Sequence, residues 1–212
     1  MRGAIFDVDG TILDSMGIWY TVTVNFLAKN GVCVTPEQAD AYSEMTLEQS
    51  LPYLKDQFLP HMSVKEISDG IFSMLSDEYS NRVQAKPGVC EYIRKLHDDG
   101  VKIAIATSSY ANLCHSAFKR LGIDNCISAY AFSHEVGCGK DQPDIYLLAA
   151  KKLNLAPEEC AVFEDLLTGV ISARSAGFYV TAVADHSNIT DTQRLIQNSD
   201  RYITGWDELL SK

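Results

Sequence analysis

The sequence predicts an α/β protein, because short apolar runs rich in β-branched residues alternate with helical patterns. The apolar runs cover residues 3–8, 101–107, 129–133, 160–165 and 178–185. The helical patterns cover residues 89–99, 110–121, 143–153 and 167–176. Gly100, Gly122 and Gly177 follow three of these helices, as is typical of residues that end a helix. We therefore expect one Rossmann-like parallel sheet with helices on both faces.

Residues 15–84 interrupt this alternation, since they have helical periodicity without a convincing strand. Three helices are predicted there, on the apolar positions Trp19, Val22, Phe26 and Leu27, then Leu47, Leu51 and Leu54, then Ile67, Ile71, Leu75 and Tyr79. We expect residues 1–14 and 85–212 to form the core, with 15–84 as a small helical insert after the first strand.

The composition excludes several classes of protein. The 212 residues are 46% hydrophobic and 22% charged, which is ordinary for a soluble globular chain. No apolar run approaches the roughly 20 residues that a membrane span needs. The net charge of −10 argues against nucleic acid as a partner, since phosphate backbones are bound by basic faces. A monomer is our default expectation.

Targeting and cysteine patterns point to the cytoplasm. Asp7 and Asp9 interrupt the only apolar run near the N-terminus, so no signal peptide is expected. The six cysteines form no CxxC pair, and free thiols are expected rather than disulfides or a zinc site.

Polar residues follow the predicted strands where each strand ends. They are Asp7, Asp9 and Thr11 after the first, Thr107, Ser108 and Ser109 after the second, Lys140 in the loop after the third, and Glu164 and Asp165 at the fourth. Ligands of open α/β sheets bind at the carboxyl ends of the strands, so these side chains are expected to converge.

Carboxylates gathered at one edge need a cation to offset their repulsion. Hard oxygen ligands in an open site favour Mg²⁺. A calcium-binding loop starting at Asp7 is disfavoured, because Ile12 and Ile18 stand where such a loop needs glycine and glutamate. A magnesium ion beside hydroxyls and a lysine fits phosphoryl chemistry, in which an aspartate can also be the nucleophile.

Four motifs occur in a specific order: DVDGT (7–11), TSS (107–109), GK (139–140) and FEDLLTGVISARSAG (163–177). Together they resemble the ordered motifs of the haloacid dehalogenase-like hydrolases, and the resemblance covers nearly the whole chain. The insert at 15–84 resembles the helical cap of the subfamily that contains phosphoglycolate phosphatase and β-phosphoglucomutase. The resemblance implies a Mg²⁺-dependent enzyme with a cap domain.

The resemblance also implies a role for each matching residue. Asp7 would attack phosphorus, and Asp9 would protonate the leaving oxygen and then activate water. Thr107 and Ser108 would bind the phosphoryl oxygens, and Lys140 would neutralise developing charge. The implied metal ligands are Asp7, Asp9 (through its backbone carbonyl), Glu164 and Asp165.

Two positions depart from the pattern of the family. Leu166 stands where many relatives have serine after the acidic pair. Asp141 and Gln142 separate Lys140 from Pro143, where relatives often have proline directly. Neither departure removes a predicted catalytic atom, although both affect the loops that carry such atoms.

The residues of the insert bear on which reaction is expected. Dehalogenases lack the second aspartate, so Asp9 favours phosphate transfer or hydrolysis. No Lys or Arg occurs between Gly31 and Leu54, which disfavours a phosphonatase with its cap lysine. Within residues 43–51, Glu44 and Glu48 stand where a mutase would need a cation to grip a second phosphate.

We therefore expect hydrolysis of a small phosphorylated metabolite, sugar- or polyol-phosphate-like, through an aspartyl phosphate. Two alternatives stay open. One is a β-phosphoglucomutase-like sugar phosphate mutase, and the other is a non-catalytic binding protein that retains the fold.

Overall fold

The computed structural model describes residues 1–43, 45 and 47–210, and a parallel sheet forms its centre. The strands are β1 (Gly3–Phe6), β2 (Lys102–Thr107), β3 (Ala129–Phe132), β4 (Cys160–Glu164), β5 (Tyr179–Val183) and β6 (Arg201–Ile203). They lie in the order β3-β2-β1-β4-β5-β6, and every neighbouring pair is parallel. The predicted α/β class and Rossmann-like sheet are confirmed, and β6 is an addition to the five predicted strands.

Helices connect these strands and also form the segment after β1. In the described part of the chain they are α1 (Met16–Lys29), α2 (Pro36–Ser43), α3 (Leu47–Gln57), α4 (Val64–Asn81), α5 (Val89–Asp98), α6 (Ala111–Leu121), α7 (Ser133–Val136), α8 (Asp144–Leu153), α9 (Leu167–Ser175), α10 (Thr192–Asn198) and α11 (Asp207–Leu210). Among the residues described, no helix combines the length and apolar character that a membrane crossing requires.

The chain divides into two compact units. The first comprises Met1–Ser15 with Val83–Lys212, and the second comprises Met16–Arg82. The sheet and α5 to α11 belong to the first unit, whereas α1 to α4 form the second. The use of the second unit as a cap domain stays a prediction.

The sheet is the buried centre of the first unit. All four residues of β1 are buried, and Phe6 pairs with Ile105 of β2 and with Phe163 of β4. The ring of Phe6 stacks on that of Phe163, with their centroids 4.5 Å apart. Burying side chains of this size stabilises the fold by about 1.5–3 kcal/mol each. Because β1 is central and its neighbours are parallel, the residues that follow these strands share one edge.

The chain passes from the first unit to the second after Ser15 and returns at Val83. Just before the exit and just after the return, its backbone is paired by hydrogen bonds within the first unit. Leu13 and Ala85 form an antiparallel bridge, and the backbone N–H of Asp14 donates to the Gln84 carbonyl at 2.9 Å. These contacts form a short paired ribbon, residues 12–14 with 84–86, which fixes where the helical segment leaves and re-enters the core.

Lys86, at the end of that ribbon, makes a buried ion pair. Its Nζ lies 2.7 Å from Asp185 Oδ2 and donates to the carbonyl of Ala184 at 2.6 Å. The side chain of Asp185 is only 2% exposed, so water cannot replace the lysine as its partner. The pair therefore ties the ribbon to the loop after β5.

Replacing Lys86 with methionine is expected to lower the free energy of unfolding by about 3 kcal/mol, because the Asp185 carboxylate would stay buried without its cation. Urea denaturation measures this change. Lys95→Met is the matched control, since the pair of Lys95 with Asp99 is exposed and contributes at most about 1 kcal/mol. An equal decrease in the free energy of unfolding of both variants would show that the buried ion pair stabilises the fold no more than the exposed one.

The second unit is built mainly on the contact between α1 and α4. Gly70 of α4 allows close approach, because a Cβ there would lie 2.2 Å from the ring of Phe26 in α1. The Trp19 indole donates to the Tyr79 hydroxyl at 3.2 Å across the same pair of helices. Of the apolar residues that the sequence predicts for α1 and α4, Trp19 is half-buried, and the others are buried: Val22, Phe26, Leu27, Ile67, Ile71, Leu75 and Tyr79.

The acidic segment 43–51 is only partly described. Glu44 lies outside the described residues, as does the side chain of Glu48. Helix α3 begins at Leu47 in the predicted place, and Leu51 and Leu54 are buried. The charge argument against a second phosphate therefore stays a prediction.

Candidate active site

Asp7 lies at the carboxyl end of β1, at the centre of the sheet. Its backbone N–H donates to the Phe163 carbonyl at 3.0 Å, which continues the pairing of β1 with β4 by one residue. Its side chain is buried, and its Oδ1 accepts a hydrogen bond from Lys140 Nζ. The backbone pairing with β4 thus fixes the position of Asp7, and the hydrogen bond from Lys140 orients its carboxylate.

Lys140 is a buried cation shared by two carboxylates. Besides Asp7, its Nζ donates to Glu164 Oε2 at 2.7 Å. The backbone carbonyl of Lys140 accepts from the Ser172 hydroxyl of α9 at 2.6 Å, which holds the loop after α7 against the helix after β4. The sequence prediction that Lys140 lies beside the strand-end carboxylates agrees with this geometry.

Glu164, the last residue of β4, has hydrogen-bond donors on both oxygens. Oε2 accepts from Lys140 and from the Tyr146 hydroxyl at 2.8 Å, and Oε1 accepts from the Leu166 backbone N–H at 3.0 Å. Leu166, the departure from the family pattern, thus contributes through its backbone. The residue itself is 40% exposed.

Asp165 has one oxygen in use and one without a partner. Oδ1 accepts from the Thr11 hydroxyl at 3.1 Å, whereas Oδ2 is buried and has no hydrogen-bond partner among the described residues. The backbone carbonyl of Asp165 accepts from Asn188 Nδ2 at 2.9 Å, which fixes the direction of the loop. A buried, unpartnered carboxylate oxygen is costly unless a cation or donor meets it.

Three carboxylates can serve one metal ion together. Asp7, Glu164 and Asp165 each offer an oxygen, and these oxygens lie within 4.8 Å of one another. Carboxylate oxygens are the ligands that Mg²⁺ prefers. Together with the unpartnered Oδ2 of Asp165, this donor set fits the predicted ion.

The side chain of Asp9 points to a different partner. Its Oδ1 accepts from the Ser15 hydroxyl at 2.6 Å, and the residue is half-buried. Gly10 follows with a φ of 89°, a left-handed conformation that lets the chain turn back on itself directly after Asp9. The Asp9 carboxylate is therefore not part of the group of three carboxylates that can hold a metal ion together. That the backbone carbonyl of Asp9 binds the metal stays a prediction.

Thr107 and Ser108 follow β2 on the same edge of the sheet. Thr107 is buried, and its Oγ1 accepts from the Ser109 backbone N–H at 3.0 Å. Ser108 is exposed, and its hydroxyl lies 2.8 Å from that of Ser133. Their predicted contact with phosphoryl oxygens is compatible with this position and stays a proposal.

Three residues that support the site were not predicted from the sequence: Tyr146, Ser172 and Asn188. Each is a polar residue whose side chain is buried and bonds a predicted site residue or its backbone. A signal for Tyr146 is its place in the first turn of the helix that follows Lys140, beside apolar residues of the buried face. Ser172 and Asn188 have no comparable signal, since Ser and Asn are frequent in helices and turns.

The charges of the site shift the pKa values of its groups. In the metal-free chain, burial raises the pKa of Asp7 to about 7, with Lys140 opposing this shift and Glu164 adding to it. Burial, Glu164 and Asp7 also raise the pKa of Asp165 well above its ordinary value. Burial disfavours the charged form of Lys140, but Asp7 and Glu164 outweigh it and raise the pKa. One lysine does not neutralise three buried carboxyl groups.

Without metal, the protein is therefore expected to lose stability as the pH rises from about 4 to about 8. A carboxyl group with a raised pKa keeps its proton in the folded state and loses it in the unfolded state, so the free energy of unfolding falls through this window. For Asp7, with a pKa of about 7 against an ordinary 3.8, the loss amounts to a few kcal/mol at about 1.4 kcal/mol per pH unit.

Thermal unfolding at pH 5.5 and pH 8, with chelator or with Mg²⁺, measures this effect. We expect Mg²⁺ to raise the Tm more at pH 8 than at pH 5.5, because the carboxylates it binds are then ionised. Asp7→Asn, which removes one of the two carboxyl groups with a raised pKa, should weaken the pH dependence in the chelated protein. A metal-free Tm that increases from pH 5.5 to pH 8 would contradict the assignment.

Comparison with known proteins identifies the family. The sequence model of the haloacid dehalogenase-like hydrolase family matches residues 4–183, and the chain belongs to this family. A phosphorylated carbohydrates phosphatase of Thermotoga maritima is 26% identical over 211 residues, covering 100% of this chain and 97% of that protein. Hexitol phosphatase A of Escherichia coli is 31% identical over 196 residues, covering 92% of this chain and 87% of that protein.

A solved structure has the same fold over almost the whole chain. It is CbbY from Rhodobacter sphaeroides in complex with phosphate, with a TM-score of 0.82, 21% identity, and coverage of 99% of this chain and 96% of that chain. The expected family and the expected class of enzyme, a phosphomonoester hydrolase, are confirmed by these comparisons.

Proposed function

We propose that this protein is a Mg²⁺-dependent phosphatase that hydrolyses a small sugar- or polyol-phosphate through an aspartyl-phosphate intermediate. The observation that carries the proposal is the cluster of Asp7, Lys140 and Asp165, in which one buried carboxylate oxygen has no partner. The names of the phosphorylated carbohydrates phosphatase and the hexitol phosphatase support a carbohydrate-like substrate.

Asp7 and Asp165 would hold the magnesium ion, with Glu164 in the same acidic group and the Asp9 carbonyl as a further ligand. When bound, the ion would neutralise charge on the transferring phosphoryl group. The unpartnered Oδ2 of Asp165 and the surplus of buried carboxyl groups support this assignment.

Asp7 would form a bond to phosphorus while the bond from phosphorus to the leaving oxygen breaks. Asp9 would give its proton to that oxygen, and would then take a proton from the water that attacks phosphorus and releases Asp7 and inorganic phosphate. Thr107 and Ser108 would orient the phosphoryl oxygens, and Lys140 would stabilise their developing charge. The hydrogen bond from Ser15 holds the Asp9 side chain in one orientation before substrate binds.

Residues 16–82 would serve as a cap that selects the leaving group. Our remaining proposals are that the protein acts in the cytoplasm as a monomer, on a metabolite rather than on nucleic acid or a membrane. The acidic net charge of −10 supports the exclusion of nucleic acid.

Phosphate release from a panel of hexitol, sugar and other small phosphates, with Mg²⁺ or with chelator, tests the proposal. We expect release from sugar- or polyol-phosphates that stops on chelation and returns with Mg²⁺. Isomerisation of a hexose 1-phosphate in the presence of a bisphosphate activator, with little phosphate release, would favour the mutase instead. Absence of turnover on the whole panel by a folded protein would overturn the proposal.

A further inference from the structure

Tyr146 is a fully buried residue with a polar group next to the site, and it has no role in the reaction as proposed. Its ring lies in the first turn of α8 and is fully buried, with the ring of Phe178 packed edge-on at 6.4 Å between centroids. Its hydroxyl donates to Glu164 Oε2 at 2.8 Å. A phenol in such an apolar setting needs a partner for its hydroxyl, and here that partner is a charged group of the site.

The geometry of Glu164 shows what this hydrogen bond can control. Oε2 accepts from both Tyr146 and Lys140, while Oε1 accepts from the Leu166 backbone N–H. Three donors from three separate segments therefore fix the orientation of one carboxylate. Such charge-assisted hydrogen bonds are stronger and more directional than those between neutral groups.

Lys140 depends on that orientation, because its ammonium group is shared between Glu164 and the Asp7 carboxylate. If Glu164 rotated, the lysine would lose one of its two carboxylate partners and could move away from the point where phosphoryl charge develops. The chain from Tyr146 through Glu164 to Lys140 thus ends at the proposed nucleophile. Every member of it is buried.

Gly169 provides the space that this arrangement needs. A Cβ at this position of α9 would lie 2.5 Å from the Tyr146 hydroxyl and 2.8 Å from Glu164 Cδ, closer than packed atoms can approach. Glycine inside a helix costs up to about 1 kcal/mol relative to alanine. The glycine at position 169 therefore destabilises the helix, but it leaves the space that the contact between Tyr146 and Glu164 requires.

We propose that Tyr146 is a positioning residue, which orients Glu164 so that Glu164 holds Lys140 against Asp7. This inference rests on the proposed phosphatase function and adds to it a residue outside the four motifs. In this assignment the main role of Glu164 is to hold the ammonium group of Lys140 in place, and Asp165 supplies a carboxylate oxygen for the metal.

Tyr146→Phe removes only the hydroxyl, so the ring still fills its place. We expect kcat to fall about tenfold, corresponding to about 1.4 kcal/mol of lost transition-state stabilisation, with KM within about twofold of the original. Tyr130→Phe is the matched control, since it also removes a tyrosine hydroxyl that donates to a carboxylate, that of Asp124, and leaves the site residues unchanged. A purely structural role would lower the Tm in both variants without a separate loss of kcat in Tyr146→Phe.

A double-mutant cycle tests whether Tyr146 acts through Glu164. If it does, Tyr146→Phe combined with Glu164→Gln should have the same kcat as Glu164→Gln alone, rather than the product of the two losses. Gly169→Ala gives a second, independent perturbation, and it should lower kcat by forcing Tyr146 and Glu164 apart. Unchanged kcat in Tyr146→Phe, or losses that multiply in the double variant, would overturn the inference.

Two measurements without substrate separate this inference from the proposed function. Calorimetric titration with Mg²⁺ should give Tyr146→Phe an affinity within about threefold of the original, because the metal ligands are intact. In protein labelled with ¹⁵N-lysine, the ammonium signal of Lys140 should shift or broaden in Tyr146→Phe but not in Tyr130→Phe. An unchanged Lys140 signal overturns the inference even if the enzyme is active, whereas a shifted signal in a protein without phosphatase activity overturns only the function.

Discussion

Asp7→Asn is expected to reduce phosphate release by about three to five orders of magnitude, which is typical of the loss of a nucleophile. Asparagine has nearly the same shape as aspartate and can still accept a hydrogen bond from Lys140, so the fold should persist. What disappears is the negatively charged oxygen that forms the bond to phosphorus. Steady-state phosphate release under saturating Mg²⁺ measures the effect.

Asp14→Asn is the matched control for this prediction, because Asp14 lies in the same loop region and its side chain is exposed. That variant should retain its activity. Mass spectrometry of acid-quenched protein adds a direct readout, since the aspartyl phosphate should be detectable in the original protein and absent in Asp7→Asn. An Asp7→Asn variant with more than about a tenth of the original kcat would rule out covalent catalysis by this residue.

Asp165→Asn is expected to have the second largest effect, through the metal rather than through the nucleophile. The amide has no charge, and its oxygen is a weaker ligand for a hard cation, so the Mg²⁺ concentration for half-maximal activity should rise by about 100-fold. Calorimetric titration with Mg²⁺ should show the same loss. Because the substitution replaces a buried carboxyl group by an uncharged amide of the same shape, the metal-free protein should be as stable as before or more stable.

Glu158→Gln provides the comparison for this variant, because Glu158 is an exposed acid just before the opposite end of β4. It should bind Mg²⁺ like the original protein. If Asp165→Asn kept the original Mg²⁺ requirement, the acidic cluster could not be the metal site, and the proposed role of Asp165 would be wrong.

Much of the candidate site was predictable, because its acidic residues directly follow strands whose ends the parallel sheet brings together. Asp7 and Asp165 follow apolar runs directly, and parallel strands bring such positions to one edge. Lys140 was harder to place from local pattern alone, since it stands in a loop. Its position follows only when the order of all four motifs is considered together.

The orientation of Asp9 could not be predicted. Two residues beyond Asp7, it would share a face with it in a continuing strand. The strand ends at Phe6, however, and the turn at Gly10 directs the Asp9 carboxylate to Ser15 instead. Backbone turns after a strand decide side-chain direction, and sequence spacing does not report them.

Several elements were missed because their sequences have weak patterns. Strand β6 has three residues, of which only Ile203 is buried, so no apolar run marks it. Among the side chains of α2 that the structure describes, most are exposed, and Ala39 and Tyr42 are buried. Elements of this kind form because the surrounding structure supplies their contacts, not because their own residues require them.

The paired ribbon formed by residues 12–14 and 84–86 has a consequence for how this enzyme could be altered. Because both ends of the helical segment start from adjacent, hydrogen-bonded backbone, its removal would leave a gap that a short β-turn can close. Both connections of the segment to the rest of the chain therefore lie within this one ribbon. If the segment acts as the proposed cap, a foreign segment grafted between Asp14 and Gln84 is expected to change which substrates are accepted, while the pairing of β1 with β2 and β4 stays intact.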